Sequence, residues 1–243
     1  MNKTHFKITH AVAVLFGILF IAFADTPKSP NDVLEALTKG NQRFVSGKPE
    51  YPRQDAARKA DAAQGQHPVA TIISCSDSRV PPELVFDEGI GDLFIIRVIG
   101  NIGSLDETGS AEYGTEHLAT PLLVVLGHTK CGAVTAAVTH AEVHGSIPPV
   151  LAHINPAVRA TKHDHPNLKG DELIAETIKT NVFHSIQELF IRSSIIRHRV
   201  SAGKLKVVGA IYDLGSGQVN WLGEHPKQMQ LLAHGQRHLA KHK

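Results

Sequence analysis

The chain has 243 residues, with 25 Lys and Arg against 23 Asp and Glu, two cysteines and 16 histidines. A hydrophobic fraction of 42% beside 20% charged residues is that of a globular protein and excludes a disordered or fibrous chain. No block of like charge offers a phosphate-neutralising surface, which argues against a nucleic-acid partner, and two cysteines cannot build a disulfide-dense scaffold.

Residues 1–24 read as an export signal. Lys3 and Lys7 precede an apolar run from Ala11 to Ala24, which ends on the small-x-small site Ala22-Phe23-Ala24. A membrane-spanning anchor needs about 18 or more apolar residues, and this run is shorter. Cleavage is expected after Ala24, leaving residues 25–243 as one exported, periplasmic domain with no membrane attachment. Losing Lys3 and Lys7 and no acid leaves 23 basic against 23 acidic residues, so the whole formal charge of +2 belongs to the signal.

Ser29-Pro30-Asn31-Asp32 opens a helical pattern with Val33, Leu34, Leu37 and Phe44 on one face, ending near Gly47. Arg53 to Gln64 is polar and alanine-rich and reads as a surface helix. Four apolar runs of strand length follow: Val69 to Ser74, Leu93 to Ile99, Leu122 to Leu126 and Leu205 to Tyr212. They are continuous rather than alternating, which suits strands buried on both faces of a parallel sheet. Helical patterns separate them, at about Ser110 to Ala119, Cys131 to Val143 and Asp171 to Arg199, and Gln218 to Leu222 adds an edge strand. The segment from His140 to Gly170, with Pro148, Pro149, Pro156 and Pro166 among its histidines, reads as irregular loop and helix surface. The basic tail from His234 to Lys243 reads as a solvated helix end. The fold class is α/β: a single domain with a central, mostly parallel sheet flanked by helices, plus an N-terminal helical arm.

Two segments carry chemistry because each lies just past a predicted strand, where open α/β sheets gather ligands. Cys75-Ser76-Asp77-Ser78-Arg79 follows the first strand, and His128-Thr129-Lys130-Cys131 follows the third. If the strands are neighbours, two thiols, an imidazole, a carboxylate and a guanidinium meet at one edge. Three readings are open from spacing alone. They are a Cys75–Cys131 disulfide, two buried free thiols, or a zinc site of two thiolates and one imidazole with a fourth position free or closed by Asp77. An imidazole three residues before a thiol would be idle in a disulfide.

The Cys-x-Asp-x-Arg and His-x-x-Cys pair resembles that of the β-class carbonic anhydrases. The resemblance runs from about Leu34 to Leu222. It also rests on Gln66 and Pro68, Val80-Pro81-Pro82-Glu83, Gly91-Asp92-Leu93-Phe94, Gly100-Asn101, Ser110-Ala111-Glu112-Tyr113, and Tyr212-Asp213-Leu214 with Gly217. It implies one Zn2+ per subunit on Cys75, His128 and Cys131, and a catalytic dyad of Asp77 and Arg79, with Asp77 a fourth ligand in a closed state. It implies further that Gln66, Phe94 and Tyr113 line the substrate pocket, and that pockets are shared between subunits of a homodimer or dimer of dimers. Ile72 stands where the bicarbonate-regulated subgroup carries tryptophan, which points to the plant-like subgroup. Two features depart from the family pattern: Val98 replaces the usual asparagine, and the His140–Gly170 stretch is longer and more irregular.

The implied reaction is reversible hydration of carbon dioxide to bicarbonate and a proton, by a water activated at zinc and oriented by the dyad. Zinc can lower the pKa of a bound water from about 15.7 to about 7. Two thiolates and a neutral imidazole offset the metal's charge, while Arg79 would keep Asp77 ionised. The alternatives are the same zinc chemistry on CS2 or COS, and a non-catalytic zinc-binding protein on this scaffold.

Overall fold

The computed structural model describes residues 29–233. The export signal and the tail from His234 lie outside them. Ser29 caps the first helix, α1 (Pro30–Val45), its side chain and that of Asp32 bonding reciprocally across the first turn. Next come α2 (Ala56–Ala62), β1 (Ala70–Ser74), α3 (Pro82–Val85), β2 (Leu93–Arg97), α4 (Leu105–Glu112), β3 (Leu122–His128) and α5 (Gly132–Thr139). The chain closes with α6 (Ile147–Ala152), α7 (Asn155–Asp164), α8 (Gly170–Arg192), α9 (Ser194–Ser201), β4 (Lys206–Tyr212) and β5 (Val219–Gly223). No helix of the described residues is long and apolar enough to cross a membrane.

The strands form one sheet in the order β2-β1-β3-β4-β5. The first four run parallel, and β5 returns antiparallel beside β4. Continuous apolar runs were expected for strands covered on both faces, and the side chains divide that way. Ala70, Ile72, Leu122, Val124 and Val208 pack under Val33 and Leu37 of α1 and Phe86. Ile73, Leu123, Val125 and Val207 pack under Val182, Ile186 and Leu189 of α8 and Ile196 of α9. A third cluster caps the carboxyl edge of the sheet, where Cys75 and Cys131 pack with Val134, Leu151, Ile154, Val158 and Ile178.

Several expected boundaries move. The long C-terminal helix divides at Ser193, which leaves helical geometry at φ −104°, ψ 110°. Its hydroxyl accepts from the Ile196 N–H and donates to Glu112 Oε1. The helix expected from Ser110 begins earlier, at Leu105, and passes into a π-helical turn over Tyr113–His117. Gly114 lets that turn lie on the sheet, because a Cβ there would stand 2.3 Å from Thr71 Oγ1. The His140–Gly170 stretch is irregular only in part: residues 140–146 and 165–169 are turns and loop, but between them it folds into α6 and α7, which bury Leu151, Ala157, Val158 and Thr161.

Candidate zinc centre

Strand order places the site. β1 has β2 on one side and β3 on the other, so the chain reverses direction across the sheet there, and a crevice opens at the carboxyl ends of β1 and β3. Ser74 pairs with Leu126. Cys75, one residue beyond β1, therefore meets His128, the last residue of β3, and Cys131, which caps the N-terminus of α5.

The ligand atoms of Cys75, His128 and Cys131 all lie within 4.8 Å of one another, and all three residues are buried. Both cysteines are free thiols, so the disulfide reading falls. With Zn–S bonds of about 2.3 Å and a Zn–N bond of about 2.0 Å, tetrahedral geometry separates donor atoms by about 3.5–3.8 Å, inside the observed limit. His128 Nδ1 lies 3.0 Å from the Thr129 carbonyl oxygen. That contact assigns the proton to Nδ1 and leaves the Nε2 lone pair free. Nε2 is buried and has no hydrogen-bond partner among the described residues. An orphaned imidazole nitrogen facing two thiols, with its other nitrogen tied to a carbonyl, is the arrangement of a zinc-ligating histidine. The two thiols compete for protons: a hydrogen bond from Cys131, with the Gly100 N–H beside it, holds the Cys75 thiol below its ordinary value, and Cys75 in turn pushes Cys131 up.

Asp77 and Arg79 stand beside the cluster. Asp77 Oδ1 accepts from the Arg79 backbone N–H and Nε, both at 2.9 Å, and Oδ2 accepts from Nη2 at 2.7 Å. The Arg79 side chain thereby holds the Asp77 carboxyl well below the usual carboxylate range. Oδ2 also lies 3.9 Å from His128 Nε2, on the side where the metal ligands converge.

Arg97 completes the loop. It sits at the end of β2, and its Nε donates to the Cys75 carbonyl at 3.1 Å while Nη2 donates to the Asp77 carbonyl at 2.7 Å. Sequence reasoning passed over it, although a lone arginine closing Leu93-Phe94-Ile95-Ile96 was the available signal. Val98, the departure from the family pattern, exchanges backbone bonds with Ser74 and Ser76 and packs its side chain into the edge cluster.

A cavity of about 330 Å3 opens beside the cluster, with Cys75, Asp77 and Gly132 on one side and Ile99, Val143, Ile147 and Leu151 on the other. The segment expected to be irregular thus supplies an apolar wall. Gln66, Phe94 and Tyr113 lie elsewhere. Phe94 is level with Thr71, four residues before Cys75, which is about 13 Å along the strand. It packs against Tyr113 with ring centroids 5.8 Å apart, and Tyr113 is 46% exposed. Gln66 is exposed and precedes β1, at the strand's other end from Cys75.

The sequence profile of the carbonic anhydrase family matches residues 70–219. Carbonic anhydrase 2 of Mycobacterium tuberculosis is 38% identical over 195 residues, covering 78% of this chain and 91% of that protein. The β-carbonic anhydrase CafA of Aspergillus fumigatus superposes with a TM-score of 0.67 at 28% identity, covering 84% of this chain and 97% of that one. One of two tetrameric β-carbonic anhydrases of Sordaria macrospora matches with a TM-score of 0.62 at 26% identity, covering 79% and 98%. With its parallel sheet and its buried Cys-His-Cys cluster, the chain belongs to the β-class carbonic anhydrases.

Proposed function

We propose that this carbonic anhydrase works through Cys75, His128 and Cys131 as zinc ligands and through Asp77 and Arg79 as the dyad that orients the attacking water. The bare His128 Nε2, set between two thiols with Asp77 Oδ2 3.9 Å away, carries the reading. Zinc held there supplies the Lewis acidity that makes water a nucleophile near neutral pH. Asp77 accepts a hydrogen bond from that water and turns its lone pair toward the carbon of CO2. The new C–O bond forms as one C=O electron pair moves onto oxygen, and the proton leaves to solvent. Arg79 keeps Asp77 ionised and, by occupying both carboxylate oxygens, keeps it from closing on the metal. The apolar wall of Ile99, Ile147 and Leu151 suits an uncharged substrate. A zinc-storage role would need no carboxylate held open in this way.

Gln66, Phe94 and Tyr113 fit this scheme as pocket residues offered to a partner subunit. β2 is one of the two edges of the sheet and is only half-buried along Leu93-Phe94-Ile95-Ile96. Such an edge invites cover, and a homodimer or dimer of dimers would supply it. The tetrameric Sordaria relatives favour the same reading. Ile72, fully buried in the core, favours the plant-like subgroup. The pattern of residues 1–24 favours export to a periplasm, and an N-terminus at Met1 in the secreted protein would refute it.

Stopped-flow CO2 hydration on metal-analysed protein tests the central reading, with Cys131→Ala beside the wild type. The expected result is one zinc per chain and rapid hydration, both lost in the variant. An inactive protein with its zinc fully loaded would overturn the scheme.

A further inference from the structure

Asn181 is the buried amide of α8. It lies on the buried stripe of α8, between Thr177 and Ser185 one turn to either side and next to Ile178 and Val182, and is the one amide there, 1% exposed. Its Nδ2 donates to the Gly100 carbonyl at 2.8 Å, but its Oδ1 has no hydrogen-bond partner among the described residues. The amide satisfies a buried backbone carbonyl that a leucine of the same size would strand, while its own acceptor stays bare. That bond is a structural reason for asparagine here, and the place of the carbonyl gives a second one.

Gly100 lies in a short 3-10 turn over Ile99–Asn101, with φ at 73°, the left-handed region that glycine occupies without strain. A Cβ at this position would stand 2.7 Å from Ile154 Cδ1 and 3.3 Å from Ala133 Cβ, so the turn is wedged between α5 and the residue that precedes α7. The Gly100 N–H points at the site and donates to Cys75 Sγ at 3.4 Å. One line of bonds therefore runs from the middle of α8 to a sulfur of the zinc centre.

We propose that Asn181 is a positioning residue for Cys75: by gripping the Gly100 carbonyl it aims the Gly100 N–H at the ligand sulfur. This rests on the zinc reading of the site. Two thiolates and a neutral imidazole leave the metal with little net charge. An N–H bonded to one thiolate draws density from that sulfur, weakens its donation and leaves the metal a stronger Lewis acid. The bond also fixes which way the sulfur lone pairs face. Asn181 touches neither metal nor substrate and acts only through the Gly100 turn.

Cobalt-substituted protein reports this directly, because the sulfur-to-metal charge-transfer band follows the electron richness of the thiolates. Asn181→Leu keeps the volume and removes the donor. The band is expected to move to longer wavelength, with CO2 hydration by the zinc form falling about 10-fold at full occupancy. A folded, fully cobalt-loaded variant whose band stays at the wild-type wavelength would overturn the proposal, since a packing role would change the melting temperature alone. If Asn181→Leu does not fold, Asn181→Ala, which also lacks a donor, is read in the same way. The wild type supplies a check free of any variant. In 113Cd-loaded, 15N-labelled protein the Gly100 amide proton should show scalar coupling to cadmium across the Cys75 sulfur, and its absence would refute the link. Failure to bind either metal at one per chain would refute the zinc reading itself, an outcome distinct from an unshifted band.

Discussion

Asp77→Asn separates the orienting role proposed for Asp77 and Arg79 from the holding of the metal. Asp77 Oδ1 takes two Arg79 donors, and Oδ2 takes a third while lying 3.9 Å from His128 Nε2. An asparagine has one acceptor oxygen. If that oxygen stays on Arg79, the amide NH2 points at the water and can only donate. If it turns to the water, two donors face each other across the old ion pair. In either case the water loses a charged acceptor. A hydrogen bond to a charged group contributes about 1.5–3 kcal/mol, and about 1.36 kcal/mol corresponds to tenfold in rate. The expected fall in kcat/KM is therefore about 10- to 150-fold. Zinc should remain at one per chain, and the thermal midpoint should barely move, because Arg79 is largely exposed and such pairs add little to stability. Stopped-flow CO2 hydration with metal analysis on the same samples decides the matter. Full zinc with kcat/KM within twofold of wild type would mean that Asp77 does not orient the nucleophile.

Two further predictions concern the frame around the site. Asn41, buried in α1, donates to the Val85 and Gly217 carbonyls at 3.0 and 2.9 Å and accepts from the Val219 N–H at 2.8 Å. Asn41→Leu strands three backbone groups at about 1 kcal/mol or more each, so a loss of about 3 kcal/mol is expected in urea unfolding, and a loss below about 1 kcal/mol would refute the accounting. Asp87 is set by opposing effects: burial alone would raise its carboxyl, but the Glu50 N–H, Arg43 Nε and the Tyr51 N–H outweigh burial and hold it below its ordinary value. A depressed folded-state value means that its stabilisation is present above the unfolded value of about 3.9 and is lost as pH falls through the folded one. Asp87→Asn should melt earlier than wild type at pH 7, with the gap closing in strong acid; a gap constant with pH would count against this.

The fold was legible where burial alone decides it. Val69 to Ser74 and Leu122 to Leu126 read as strands because a sheet covered on both faces needs no alternation, and they became β1 and β3. The errors arose where distant parts of the chain intervene. The periodicity of α8 runs on past Ser193 to Ile196, and the break is made by Ser193 bonding to Glu112, 81 positions away in sequence. Pro148 and Pro156 looked like breakers in the His140–Gly170 stretch. Each instead stands in the first turn of its helix, where a missing N–H removes no helical bond.

The same distinction runs through the site. The residues proposed as metal ligands and dyad stand out in the sequence because they are local: each segment directly follows its strand, and strand pairing brings the two segments together. What supports them is not local. Arg97 reaches Cys75 from the neighbouring strand, Ile147 and Leu151 from a segment that looked unstructured, and Asn181 from the middle of a helix. No spacing rule connects these residues to a thiolate, because their roles depend on packing. Phe94 and Tyr113 mark a further limit. They pair on the half-buried edge of the sheet, about 13 Å along the strand from the level of Cys75 in their own chain. A pocket that needs them must be built between chains. In the proposed assembly, covering the β2 edge and completing the substrate pocket are therefore one event, and loosening that edge should impair CO2 hydration before it releases zinc.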